Sequence, residues 1–108
     1  MVVASEFGRT LSTNGQGSDH GWGGNYFVLG GDVKGGQMLG SYPGRLTEFV
    51  SEANVGRGRF IPTTPWESIW NGVSEWYGID AAGRAEILPN MANFDAGDIF
   101  TQAQLYKP

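Results

Sequence analysis

Apolar positions along this chain change period several times, and the changes divide it into elements. Val2-Val3-Ala4-Ser5 is a short apolar, β-branched run. It predicts a strand buried on both faces, the pattern of a parallel sheet, with an edge strand or insertion into a partner as the alternative. Residues 8–24 show no periodicity and predict a long shaped loop, which in a compact domain is usually functional or disordered. Asn25-Tyr26-Phe27-Val28-Leu29 predicts a second strand ended by Gly30-Gly31. Gln37-Met38-Leu39-Gly40 predicts a third, with Asp32 to Gly36 as the turn between them. Ser41 to Gly58 mixes Pro43, Gly44 and charges and reads as irregular.

The clearest helix follows. Thr64 is its expected N-cap, Pro65 its first residue and Glu67 the partner in a capping box. Ile69, Trp70, Val73, Trp76 and Tyr77 recur at helical spacing, and Gly78 supplies the stop. The resulting broad aromatic face is expected to bury itself against a sheet or another protein. Asp80 is expected to cap a second short helix ending before Pro89, and Thr101 a last turn through Leu105. Strand, loop, strands and helices make the expected fold class α/β or α+β.

Composition narrows the function classes. The 108 residues suit one domain, and 40% are hydrophobic, so a packed core is possible. Glycine, at 18 residues, exceeds the usual share of about 7%, and its clustering fits shaped loops rather than a linker. Net charge is −4 with both signs interspersed, so the basic stripe that nucleic acid or an anionic membrane would need is missing. There is no cysteine, which excludes disulfides and thiolate metal sites. No apolar stretch reaches the roughly 20 residues that span a bilayer, and no basic n-region follows Met1, so no signal peptide is read.

Asp19-His20-Gly21 is the sharpest candidate for chemistry, and His20 is the only histidine. A carboxylate beside a neutral imidazole suits a divalent cation such as zinc, manganese or calcium. The bland alternative is a loop histidine bonded to its neighbours. Glu6 falls at the expected end of the first strand, where open α/β sheets bind ligands, so it could converge on the same site or simply orient Arg9. Arg9 could clamp a phosphate or sulfate, or pair with Glu6. Gly56-Arg57-Gly58-Arg59 resembles an anion site, though two loop arginines are more often solvated. Trp66, Trp70 and Trp76 read as core rather than as a ligand platform. The glycines between Gly30 and Gly36 lack the Lys-Ser/Thr ending of a P-loop, and no Ser-His-Asp set can be argued from spacing.

Together these segments resemble a bacterial family, domain of unknown function 1501. The resemblance runs from Val2-Val3-Ala4-Ser5-Glu6-Phe7-Gly8-Arg9-Thr10 through Asn14-Gly15 and Asp19-His20-Gly21-Trp22-Gly23. It continues through Phe27 to Gly31, Val33 to Gly36, Arg57-Gly58-Arg59 and Ile61 to Thr64, and closes on Leu88-Pro89-Asn90 with Phe94. It implies the alkaline phosphatase–sulfatase superfamily, with a largely parallel central sheet flanked by helices. On that likeness residues 1–108 form a single C-terminal segment of a larger alkaline-phosphatase-like domain, and the N-terminal part of the same fold is its expected partner.

The resemblance also implies roles. Asp19 and His20 become metal ligands; Glu6 and Arg9 belong to the family's signature and are the catalytic candidates. Family members often carry a twin-arginine export signal, so a periplasmic or exported location is implied although that signal is absent here. The superfamily's nucleophile and a further histidine find no match in this chain. Two functions are therefore expected to compete. One is the metal-site-bearing part of a phospho- or sulfo-ester hydrolase, inactive alone, in which metal activates a nucleophile supplied elsewhere. The other is a non-catalytic binding or structural module.

Overall fold

Backbone pairing, rather than apolar periodicity, organises the first part of the chain. The computed structural model describes residues 1–46 and 52–108. The fold is mixed α/β, with four short strands and three α-helices among the described residues. The strands are β1 (Val2–Val3), β2 (Gly8–Thr13), β3 (Ser18–Gly21) and β4 (Phe27–Val28). They form two separate two-stranded sheets, β1 with β4 and β2 with β3, both antiparallel. This departs from the parallel arrangement expected of Val2–Ser5. Val3 is exposed, so the run is not a strand buried on both faces.

Residues 8–24, expected as a loop, are mostly a hairpin. Asn14 to Gly17 make the turn: the Asn14 amide donates to the Gly17 carbonyl at 2.9 Å, and the Asn14 side-chain oxygen accepts the Gln16 amide at 2.8 Å. Asn-Gly is a strong hairpin signal. The flanking segments hid it, because the positions β2 buries are Gly8 and Thr10, which carry no hydrophobic signature. Arg9 pairs with His20 and Thr13 with Ser18, so β2 carries extra residues in a bulge between them. Bulges of this kind re-aim side chains.

The helices follow the sequence more closely. They are α1 (Trp66–Trp76), α2 (Ala81–Ile87) and α3 (Gln102–Leu105), with short 3₁₀ turns at Met91–Asn93 and Ala96–Asp98. The α1 N-cap is Pro65 and makes no side-chain cap bond, so the Thr64–Glu67 capping box does not form. Gly78 does end α1: its φ is 80° and its amide returns to the Glu75 carbonyl at 2.9 Å. Asp80 caps α2 by accepting the Gly83 amide at 2.9 Å. Thr101 and Gln104 make a reciprocal capping box on α3. Gln37–Gly40, expected as a strand, forms none. The expected irregular stretch 41–58 lies partly outside the described residues, at positions 47–51.

The chain divides into two compact units, Met1–Val28 with Ser41–Thr63, and Leu29–Gly40 with Thr64–Pro108. In the second unit α1 buries Ser68, Asn71, Gly72 and Ser74, not its aromatic side. The Ser68 hydroxyl donates to the Asp98 carbonyl, and Asn71 donates to the Phe100 carbonyl at 2.8 Å. Small polar residues win this face because the segment entering α3 offers unpaired carbonyls, which must be satisfied when buried. The aromatic side is only partly covered: Trp76 stacks on Tyr106 at 4.9 Å, yet Trp66, Trp76 and Tyr77 stay exposed. The expectation that this broad face is the core is therefore corrected. Among the described residues no helix is long and apolar enough to cross a membrane.

Candidate functional site

The β2–β3 hairpin carries Arg9, Asp19 and His20, and strand alternation decides which of them can cooperate. Successive side chains of a strand point to opposite faces. Arg9 and His20 are register partners and so share one face. Phe7, two residues before Arg9, joins them: its ring stacks on the His20 ring at 3.8 Å and 14° between planes. The Arg9 guanidinium lies 5.1 Å from the Phe7 ring centroid, a cation–π contact, and one of its N–H groups donates to the Ser18 carbonyl at 3.0 Å. The result is an exposed face with a fixed positive charge, an imidazole and an aromatic ring between them.

Asp19 points the other way. Its backbone amide donates to the Thr10 hydroxyl at 3.0 Å, tying it to the bulge. Each carboxylate oxygen meets one protein donor: Asn14 donates to Oδ1 at 2.7 Å, and Arg57 forms an ion pair with Oδ2 at 2.7 Å. The Asn14 hydrogen bond first, and then Arg57 and His20, hold the Asp19 carboxyl below its usual pKa.

Arg57 reaches Asp19 from a loop built for the purpose. The Asn54 side-chain oxygen accepts the amides of Gly56 and Gly58 at 2.8 and 3.2 Å, and the Gly58 carbonyl accepts the Leu11 amide of β2 at 3.1 Å. Arg57 is the one non-glycine residue among those described with positive φ, 57°. That conformation costs an ordinary residue on the order of 1 kcal/mol and persists where surrounding contacts enforce it. Sequence reading treated the Gly56–Arg59 run as solvated or anion-binding; the signal it lacked was the fold that brings residue 57 to residue 19.

The remaining expectations are placed as follows. Glu6 is exposed in the bend before β2, with the Ser5 hydroxyl 3.5 Å away, and among the described residues no ion pair joins it to Arg9. Asp19 and His20, the expected metal ligands, lie on opposite faces of β3, and Asp19 spends both oxygens on protein donors. Among the described residues no group of three or more His, Asp or Glu is placed to hold a metal ion. Phe7 was not read as part of the site; only the pairing of β2 with β3 reveals it.

A low Asp19 pKa carries a pH signature. A depressed folded-state value means that the Asn14 and Arg57 contacts contribute stability above the ordinary carboxylate pKa, and that this is lost as pH falls through the lowered one. We expect the carbon resonance of the Asp19 carboxyl to titrate below that of an unfolded aspartate. In Arg57→Gln the midpoint rises towards the ordinary value; a midpoint indifferent to that substitution would exclude Arg57 as a cause.

The chain is thus a mixed α/β protein whose first part is an antiparallel hairpin presenting an arginine–histidine face. Its sequence matches the family described as "Protein of unknown function (DUF1501)" over residues 1–55, half of the chain, and the chain belongs to that family. The match covers the whole hairpin, including Glu6, Arg9, Asp19 and His20. No curated protein and no solved structure matches the chain.

Proposed function

We propose that the hairpin binds the anionic group of a phospho- or sulfo-ester, with Arg9 and His20 as its donors, as part of a hydrolase-like protein of the alkaline phosphatase–sulfatase kind. The observation that carries this reading is the register pairing of Arg9 with His20 on one exposed face. A guanidinium is charged at every physiological pH and offers a planar fork of donors that matches tetrahedral oxyanions. The Ser18 carbonyl and the Phe7 ring fix the orientation of Arg9, which lowers the entropy lost when an anion arrives. Hydrolysis itself would need a nucleophile that this face does not supply, and Glu6, exposed one residue before Phe7, is a candidate base.

Metal dependence belongs to the same proposal in its stronger form, with Asp19 and His20 as ligands. Its support is the Asp-His-Gly tripeptide and the fact that Asp19 already holds a cationic partner, Arg57. It would require Asp19 to exchange Arg57 for the ion and His20 to leave Phe7. A hairpin that binds anions without turning them over, the non-catalytic alternative, uses the same face.

The test is a titration of the full chain with inorganic sulfate and phosphate, followed through the His20 ring and Arg9 side-chain resonances. Both should shift together, and Arg9→Ala should weaken binding on the order of tenfold, the loss expected for a hydrogen bond to a charged group. Repeating it with zinc separates the two forms: coupled changes at Asp19 and His20 would establish the metal site. If neither anion moves His20 or Arg9, the reading fails.

A further inference from the structure

The dipeptide Asn-Gly occurs twice in the sequence, at Asn14-Gly15 and at Asn71-Gly72. It is a reactive setting for an asparagine side chain, because glycine has no Cβ to hinder its own backbone nitrogen from approaching the asparagine Cγ. None of the roles above uses either amide as a reactant, and the fold gives the two pairs opposite surroundings.

Asn14 and Gly15 are exposed in the turn between β2 and β3. Gly15 has a φ of 91°, and a Cβ built on it would meet nothing within 4 Å, so the backbone there has room to swing. Its amide donates to the Thr13 hydroxyl at 3.1 Å, outside the strand ladder. The Asn14 Oδ1 accepts the Gln16 amide at 2.8 Å. That N–H is placed to stabilise the negative charge that builds on Oδ1 as a nitrogen adds to Cγ. Asn71 differs in each respect. It is 4% exposed, its Nδ2 donates to the Phe100 carbonyl at 2.8 Å, and Gly72 lies inside α1, where its amide belongs to the helical ladder.

We infer that the hairpin turn is a site of spontaneous covalent modification, at which Asn14 loses ammonia to form a cyclic imide with Gly15 while Asn71 stays intact. The Gly15 nitrogen bonds to Asn14 Cγ, the Cγ–Nδ2 bond breaks, and the proton of the Gly15 N–H leaves with Nδ2 as ammonia. Water then opens the imide at either carbonyl and leaves aspartate or isoaspartate at position 14. The aspartate product puts a carboxylate where Asn14 now donates to Asp19 at 2.7 Å, so two like charges face each other. The isoaspartate product lengthens the turn backbone by one methylene, against the Asn14–Gly17 bond of 2.9 Å that closes it. Both loosen the turn that sets Arg9 opposite His20. The reaction itself is independent of whether that face binds anions, because its test reads covalent mass.

The experiment holds the full chain at mildly alkaline pH, folded and in parallel in denaturant, and follows the peptides that contain Asn14 and Asn71 by mass spectrometry, with fragmentation that distinguishes aspartate from isoaspartate. In the folded chain Asn14 should be lost at least about tenfold faster than Asn71, because a buried helical amide reacts only when its segment opens. Isoaspartate should appear at position 14, the mark of passage through the imide. In denaturant both pairs are equally free, and the gap between them should collapse. An intact Asn14, loss of Asn71 as fast as Asn14 in the folded chain, aspartate without isoaspartate, or a gap that persists unchanged in denaturant would each overturn the inference.

Discussion

Replacing Gly8 with alanine is expected to destabilise the first unit by about 3 kcal/mol, the upper end of what forced overpacking costs. A Cβ at position 8 would sit 1.8 Å from the Gly23 carbonyl oxygen and 2.7 Å from its carbon. Both are backbone atoms, so no rotamer change can relieve the collision. Gly23 is itself fixed, because its amide donates to the Phe60 carbonyl at 2.7 Å. The start of β2 would have to peel away from residue 23, and Arg9 and His20 would lose their shared face. Amide exchange across β2 and β3 reads this directly, with protection falling by about two orders of magnitude. Gly31→Ala, where a Cβ meets nothing within 4 Å, is the control and should change little. A Gly8→Ala protein as protected as the parent would show that residues 8 and 23 are not packed as described.

The second large effect is at Gly72. A Cβ there would lie 2.5 Å from Leu105 Cδ1 and 3.0 Å from the Thr101 carbonyl oxygen. Leu105 can rotate away, but the Thr101 carbonyl belongs to the first turn of α3, accepting the amides of Gln104 and Leu105. Alanine would recover about 1 kcal/mol of helix propensity against this clash, so its net effect is small. Valine places two further carbons at the contact and should cost about 2–3 kcal/mol. Tyr106 reports the change. Burial first, and then the neighbouring Tyr77, hold its phenol above the ordinary pKa. Loosening α3 from α1 in Gly72→Val should lower that titration towards the ordinary value, visible in the ultraviolet absorbance of the phenolate. An unchanged tyrosine titration alongside unchanged stability would mean that α1 and α3 do not meet at Gly72.

Both positions show why the core of this chain was hard to read. Apolar periodicity finds faces that bury large side chains. Here β2 buries Gly8 and Thr10, and α1 buries Ser68, Asn71 and Gly72. Their burial follows from backbone approaching backbone, or from a short polar side chain meeting a carbonyl. Neither leaves a hydrophobic repeat. The same reasoning accounts for α1: the 3.6-residue repeat of Ile69, Trp70, Val73 and Trp76 correctly marked a helix but not the face it packs. The hydrogen-bond demand of the carbonyls at Asp98 and Phe100 chose the opposite side.

What the sequence determined by itself was local. The α2 cap at Asp80, the stop at Gly78 and the turn after Thr101 each depend on groups within about four residues of one another, so the local order of residues suffices to place them. The likeness to the DUF1501 family was also legible, since it rests on the order of short motifs. Which chemistry the hairpin can offer was decided only by tertiary structure. Asp19 and His20 are neighbours in sequence, but strand alternation turns them to opposite faces, while Arg9 and His20, eleven positions apart by their numbers, meet across the register. Arg57 reaches Asp19 through a loop whose conformation depends on Asn54 and on pairing with β2. A side chain's partners are set by which face it occupies, and a face exists only once the strands have paired.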